Sequence, residues 1–174
     1  MAYDPKSTTF RTPSLSLGYK VGLGLYSGLW YAALPVALAS KRIRSGLWSR
    51  VTLRSEPKET DIWIQAASAG ECTLVQTLVQ SWPEEDPISL LATTNTSQGM
   101  QVLEKTKPTS HMLFTKAYAP LDTGISVRKT LKHFHPRLLV ILETELWPNL
   151  LLSCAQARIP VLLLNARMTA KSLS

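Results

Sequence analysis

Four continuous apolar runs punctuate the chain after residue 59: IWIQAA at 62–67, ISLLATT at 88–94, LLVILE at 138–143 and VLLLNA at 161–166, with a weaker run, HMLFT, at 111–115. Apolarity that is continuous rather than alternating marks strands covered on both faces. Between the runs stand segments of helical length, at 71–81, 97–106, 124–134 and 147–158. Strand and helix in alternation predict an α/β domain over 59–174, built on a Rossmann-like parallel sheet with right-handed crossovers.

The N-terminal third follows another pattern. Residues 1–14 are polar and interrupted by proline, which predicts a loose tail. From Leu15 to Ser40 the only charge is Lys20, and KRIR follows at once. The 20 uncharged residues after Lys20 match the length of a helix crossing a bilayer core of ~30 Å. Tyr26, Trp30 and Tyr31 favour the membrane interface instead, and Pro35 predicts a kink. Residues 15–45 are therefore expected to form a hydrophobic membrane anchor with a basic flank, either spanning or monotopic. Lys41, Arg42, Arg44 and Arg50 place the following domain on the cytoplasmic side. Within this run GLGLYSG imitates a dinucleotide loop, but no strand precedes it and its spacing is GxGxxxG, which rules out that function. Gly24 and Gly28 also have the spacing that lets two membrane helices approach, a motif that is often incidental.

Charge reinforces the division. The formal net charge is +7, and residues 1–58 carry nine Lys/Arg against two acids, while the remainder carries ten of each. A basic segment beside an apolar one points to an anionic membrane rather than to nucleic acid. The two cysteines, Cys72 and Cys154, form neither a CxxC nor a cluster with histidine. No disulfide framework or zinc site is indicated, and both are expected to be small apolar side chains on helices in a reducing compartment. His111, His133 and His135 have no metal-ligand spacing, and the last two read as helix-end or surface residues.

In an open parallel sheet, ligands bind beyond the carboxyl ends of the strands. Polar residues collect at those ends: Ser68, Gly70 and Glu71 after the first strand; Thr94, Thr96, Ser97 and Gly99 after the second; Glu143 and Glu145 after the fourth; Asn165 and Arg167 after the last. Ser68-Ala69-Gly70-Glu71 reads as a capping box, and Glu71 equally suits a general base. The hydroxyls of TTNTSQG are ordinary helix caps, and with backbone N–H groups they suit a phosphate or a sugar hydroxyl. In ETELWPN, Pro148 suits a first helical turn. Glu143 and Glu145 stand too close along one chain to straddle a glycosidic bond, and pairing with Arg167 or another basic group is the expected structural role.

Taken in order, WIQAASAGE, TTNTSQG, APLD, HPRLLVILETELWPNLL and LLNARMTAKS resemble the N-terminal half of bacterial Kdo transferases, membrane-associated glycosyltransferases. These attach 3-deoxy-D-manno-octulosonic acid (Kdo) from CMP-Kdo to the lipid A precursor during lipopolysaccharide biosynthesis. The resemblance runs from about Trp63 to the C-terminus. It implies a GT-B architecture of two Rossmann-like halves, of which 59–174 is the acceptor domain and the C-terminal donor domain is absent. Glu71 falls on the family's proposed catalytic base, and Ser68, Gly70, Thr94, Thr96, Gly99, Glu143, Glu145, Asn165 and Arg167 fall on the substrate-binding rim. The resemblance implies no metal and no cofactor. CMP-Kdo would be held mainly by the missing half, and the lipid A precursor would be met at the cytoplasmic face of the inner membrane. The chain is expected to be inactive alone and to need a separate C-terminal donor domain; the alternative is a non-catalytic membrane-bound module that binds acidic lipid or that domain. Gln65 stands where the family usually carries His, and Gln98-Gly99 replaces a Thr-Gly.

Overall fold

The computed structural model describes residues 16–39, 59–143 and 146–165. Helix α1 spans Leu17–Ala39. Then β1 (Thr60–Ala66), α2 (Ala69–Gln80), β2 (Ile88–Thr94), α3 (Ser97–Lys105), β3 (Met112–Tyr118), α4 (Gly124–Phe134), β4 (Pro136–Leu142), α5 (Pro148–Gln156) and β5 (Val161–Leu164) follow in alternation. The five strands form one parallel sheet in the order β3-β2-β1-β4-β5.

Each face of the sheet has its own core. Ile64, Ala66, Leu90, Ala92 and Val140 pack with Cys72, Val75 and Val79 of α2 and Leu103 of α3. Trp63, Leu91, Leu139 and Ile141 pack with Val127, Leu131 and Phe134 of α4 and with Leu150 and Cys154 of α5. Successive residues of β1 thus feed opposite cores, which is why its run is apolar throughout. The chain winds outward from β1 through β2 to β3, then returns beside β1 as β4. The switch between β1 and β4 leaves a crevice at the carboxyl ends of the strands.

The expected strands and helices are all present, with ends displaced by a few residues. The weak third run becomes a full strand, Met112–Tyr118, paired along its length with β2. Its mixed polarity reflects its edge position, where burial is only partial. Both cysteines are free and buried, and burial pushes the Cys154 thiol up to about 12. His133 lies in the last turn of α4, and His135 caps that helix in a left-handed conformation with φ of 42°. No three metal-ligating side chains come together among the described residues.

Two findings on helix α1 bear on the expected anchor. It runs past Pro35 to Ala39 as one helix, and no helix among the described residues is long and apolar enough to cross a membrane. GLGLYSG lies within it, and nothing approaches within 4 Å of where a side chain would stand at Gly18, Gly22, Gly24 or Gly28. The basic flank from Lys41 to Arg50 lies outside the described residues.

Candidate functional site

The β1–α2 turn places Glu71 by local hydrogen bonding. Ser68 is the N-cap of α2, its Oγ accepting from the Glu71 backbone N–H at 3.2 Å. The Ser68 hydroxyl donates to Glu71 Oε1 at 2.8 Å. The Ala67 N–H donates to Oε2 at 2.9 Å, one residue earlier than in a strict capping box. Two bonds therefore fix the carboxylate of a residue that is only 5% exposed, and the third holds its backbone. Gly70 is exposed, and a Cβ there would meet only Ser68 Oγ at 3.8 Å.

The β2–α3 turn is built more tightly. Thr96 caps α3, its Oγ1 accepting from the Gly99 N–H at 3.0 Å. A Cβ at Gly99 would overlap Thr94 Oγ1 and stand 3.0 Å from Cys72 Sγ. Thr94 itself is fully buried, so in this conformation it spaces α3 from the sheet and offers no atom at the rim. Thr96, half-buried, is the threonine of this pair that reaches the surface.

Beyond β4 and β5 the backbone turns left-handed at two neighbouring sites, Glu143 with φ of 61° and Asn165 with φ of 57°. The Glu143 N–H donates to the Leu164 carbonyl at 2.9 Å, tying the two strand ends together. Asparagine tolerates this region, whereas glutamate pays for it, and such outliers gather at functional sites. Glu145 and Arg167, and the pairing expected between them, lie outside the described residues. Pro148 opens α5, as its fixed φ favours.

Asp122 and Asn149 were not singled out from sequence. Trp147, the N-cap of α5, makes no side-chain cap bond, and Asp122 supplies the cap from the β3–α4 loop. Its Oδ2 accepts from the Asn149 N–H at 3.1 Å and its Oδ1 from the Leu150 N–H at 2.8 Å. Burial pushes the Asp122 carboxyl above its ordinary range, outweighing these bonds and one from the Tyr26 hydroxyl. Asn149 Nδ2 donates to the Asp122 carbonyl at 2.6 Å and lies 3.3 Å from Ser27 Oγ. Trp30 stacks obliquely on Trp147 at 5.9 Å between ring centroids. Tyr26, Ser27 and Trp30 thus dock α1 against the rim. The only sequence trace of this arrangement is the string APLD, which carries no local signal of a cap made at a distance.

Next to these residues, Gln65, Asn95, Pro120, Asp122 and Trp147 line a small, partly open recess. It opens at the β1/β4 switch point. The described residues that follow β1, β2, β4 and β5 share one rim, with a fixed carboxylate, capped helix N-termini and a docked helix beside it. Such a rim can bind a polyhydroxylated ligand and accept a proton from it.

Residues 41–174 match the family model described as 3-deoxy-D-manno-octulosonic-acid transferase (kdotransferase). A 3-deoxy-D-manno-octulosonic acid transferase of Haemophilus influenzae is 35% identical over 117 residues, 67% of this chain and 27% of the relative. The Arabidopsis thaliana protein named "Probable 3-deoxy-D-manno-octulosonic acid transferase, mitochondrial" is 34% identical over 117 residues, 67% of this chain and 26% of its own. A Rickettsia felis 3-deoxy-D-manno-octulosonic acid transferase is 33% identical over 129 residues, 74% and 27% of the two chains. The matched stretch thus spans about a quarter of these relatives.

Proposed function

The chain belongs to the 3-deoxy-D-manno-octulosonic-acid transferase family, and we propose that it is the acceptor-side half of a GT-B enzyme that moves Kdo from CMP-Kdo to the lipid A precursor. The observation that carries this reading is the fixed Glu71 carboxylate at the β1–α2 turn, on the rim where an open parallel sheet binds its ligands. Glu71 takes the proton of an acceptor hydroxyl. The freed oxygen pair forms the new bond to the anomeric carbon of Kdo, and the bond from that carbon to phosphate breaks, its electrons leaving with CMP. Ser68 and the Ala67 N–H hold the base in place while the acceptor approaches over Gly70. Thr96, Glu143 and Asn165, with Glu145 and Arg167, contact the acceptor along the remaining rim; Gly99 keeps the turn compact, and Thr94 takes part only if that turn opens. The reaction needs neither metal nor cofactor, and the donor nucleotide is held chiefly by a second domain.

The acceptor reaches this rim from the cytoplasmic face of the inner membrane. Helix α1 supports that reading, since Leu17, Val21, Leu25 and Leu29 are exposed at four-residue spacing while Tyr26, Ser27 and Trp30 meet the domain. The exposed apolar stripe can meet a lipid surface, and the basic residues from Lys41 to Arg50 add attraction to anionic headgroups. The same exposed face favours a second reading, a non-catalytic lipid-binding module. Transfer of labelled Kdo from CMP-Kdo to lipid A precursor in membranes separates the two. The expected result is transfer only when a donor domain is supplied. Transfer by the chain alone overturns the two-domain account, and no transfer in either case leaves the lipid-binding module.

A further inference from the structure

Helix α1 is poorly equipped to be a helix on its own. Gly18, Gly22, Gly24 and Gly28 lie within it, and glycine is among the weakest helix formers. Nothing approaches where a side chain would stand at any of the four, so close packing does not require them and their effect is to weaken the helix. Helix formation in water is marginal for such a sequence, which makes the order of α1 depend on what it touches. On one side it touches the start of α5. Asn149 Nδ2 donates to Ser27 Oγ at 3.3 Å, Trp30 meets Trp147 at 5.9 Å, and the Tyr26 hydroxyl donates to the Asp122 carboxylate. The other side carries Leu17, Val21, Leu25 and Leu29, 55–78% exposed. At about 100° per residue, the two sets are centred roughly 170° apart around the helix. A surface can therefore hold one face while α5 holds the other.

We propose that α1 is a conditional strap: contact with an anionic lipid surface orders it, and the ordered helix holds the β4–α5 side of the rim through Tyr26, Ser27 and Trp30. This inference rests on the lipid-facing, acceptor-side reading given above. Two faces that favour the same helical state are coupled, because the contact made first has already ordered the helix for the second. The coupling is reciprocal. KRIR, directly after Ser40, supplies charge that fits anionic headgroups. Asp122 is the positioning residue. It is 2% exposed and caps α5, whose N-cap residue Trp147 makes no side-chain cap bond. Lifting Tyr26 and Ser27 away brings water to Asp122 and Asn149, in competition with the bonds that close the first turn of α5. Residues 144–146 connect that turn to the left-handed Glu143, so order in α5 reaches the strand end on the rim.

The test is hydrogen–deuterium exchange of the full chain, free and with phosphatidylglycerol vesicles. The expected result is exchange over residues 149–152 slowed about tenfold by the vesicles, the scale of one helix cap, with α2 and α3 unchanged. Ser27→Ala with Trp30→Ala, on the docked face, still sediments with the vesicles and loses the slowing. Asp122→Asn, which keeps one acceptor oxygen, retains part of the slowing that Asp122→Ala loses, and equal slowing in both overturns the positioning role. Vesicle binding that leaves 149–152 unmoved, or slows them equally in the Ser27 and Trp30 variant, overturns the strap, as does a wild-type chain that does not bind. Should that double variant fail to fold, Ser27→Ala alone takes its place and is read the same way. Kdo transfer with a supplied donor domain, measured on the same samples, tests the acceptor-side reading separately. Transfer with unmoved exchange overturns the strap alone, and slowed exchange without transfer leaves the strap on a lipid-binding module.

Discussion

At the scale of single residues, cap and base meet in Glu71, and they separate on substitution. Glu71→Gln keeps an oxygen for the Ala67 N–H and a group for Ser68, so stability changes by less than about 1 kcal/mol. In an enzyme completed with its donor domain, turnover falls by about a hundredfold or more, the scale of a lost general base. Thermal unfolding beside Kdo transfer checks both halves. The two rim glycines divide in the same way. Gly99→Ala drives a methyl group into Thr94 Oγ1 and destabilises by about 1–3 kcal/mol. Gly70→Ala meets ordinary contacts and leaves stability unchanged or slightly raised, so a loss of transfer there reports crowding of the acceptor. Asp122 carries the pH dependence. Its folded carboxyl lies above the unfolded value of 3.8, so between the two values the fold holds a proton that the unfolded chain has released. The contribution of this group therefore declines as pH rises through that window. Denaturant unfolding should show the wild-type chain gaining on Asp122→Asn as pH is lowered from 7, and a constant gap would contradict the shift.

At the scale of elements, α1 has a docked face and an open one. Leu25→Asp with Leu29→Asp alters only exposed positions. It is expected to abolish sedimentation with anionic vesicles while the domain's unfolding transition stays in place, and Trp30→Ala is expected to loosen the helix from Trp147 instead. How much of this was legible follows from the range of the interactions. The β1, β2, β4 and β5 runs and the Ser68 cap could be read because strand burial and helix capping are written in adjacent residues. Trp63, Thr93 and Gln65 form a hydrogen-bonded chain across neighbouring strands, and Asp122 caps a helix 27 residues further on. Neither leaves a local pattern. The burial of Thr94 was hidden for the same reason, since it depends on how closely α3 crosses the end of β2. The membrane reading of residues 15–45 drew on hydropathy, aromatic placement and the basic flank, none of which shows that one stripe of the helix is used against the domain.

At the scale of the whole molecule, the sheet is well covered at its centre and, among the described residues, β5 is an exposed edge. All four residues of β5 are 40–45% exposed, an apolar edge of the kind that pairs with other chains. Leu162→Lys with Leu164→Lys is expected to raise the concentration at which the chain stays monomeric in light scattering, at little cost to the pairing of β1 with its neighbours. The strand order has a further consequence, which lies in time. Among the described strands β1 is synthesised first, yet it ends at the centre of the sheet, and its partner Leu138 for Ile62 lies on a strand 76 residues downstream. At a ribosomal rate of about 5–20 residues per second, that interval lasts roughly 4–15 s. Throughout it, the nascent chain carries a central strand with one edge unclosed behind an apolar helix, which leaves this stretch open to association before the sheet is complete.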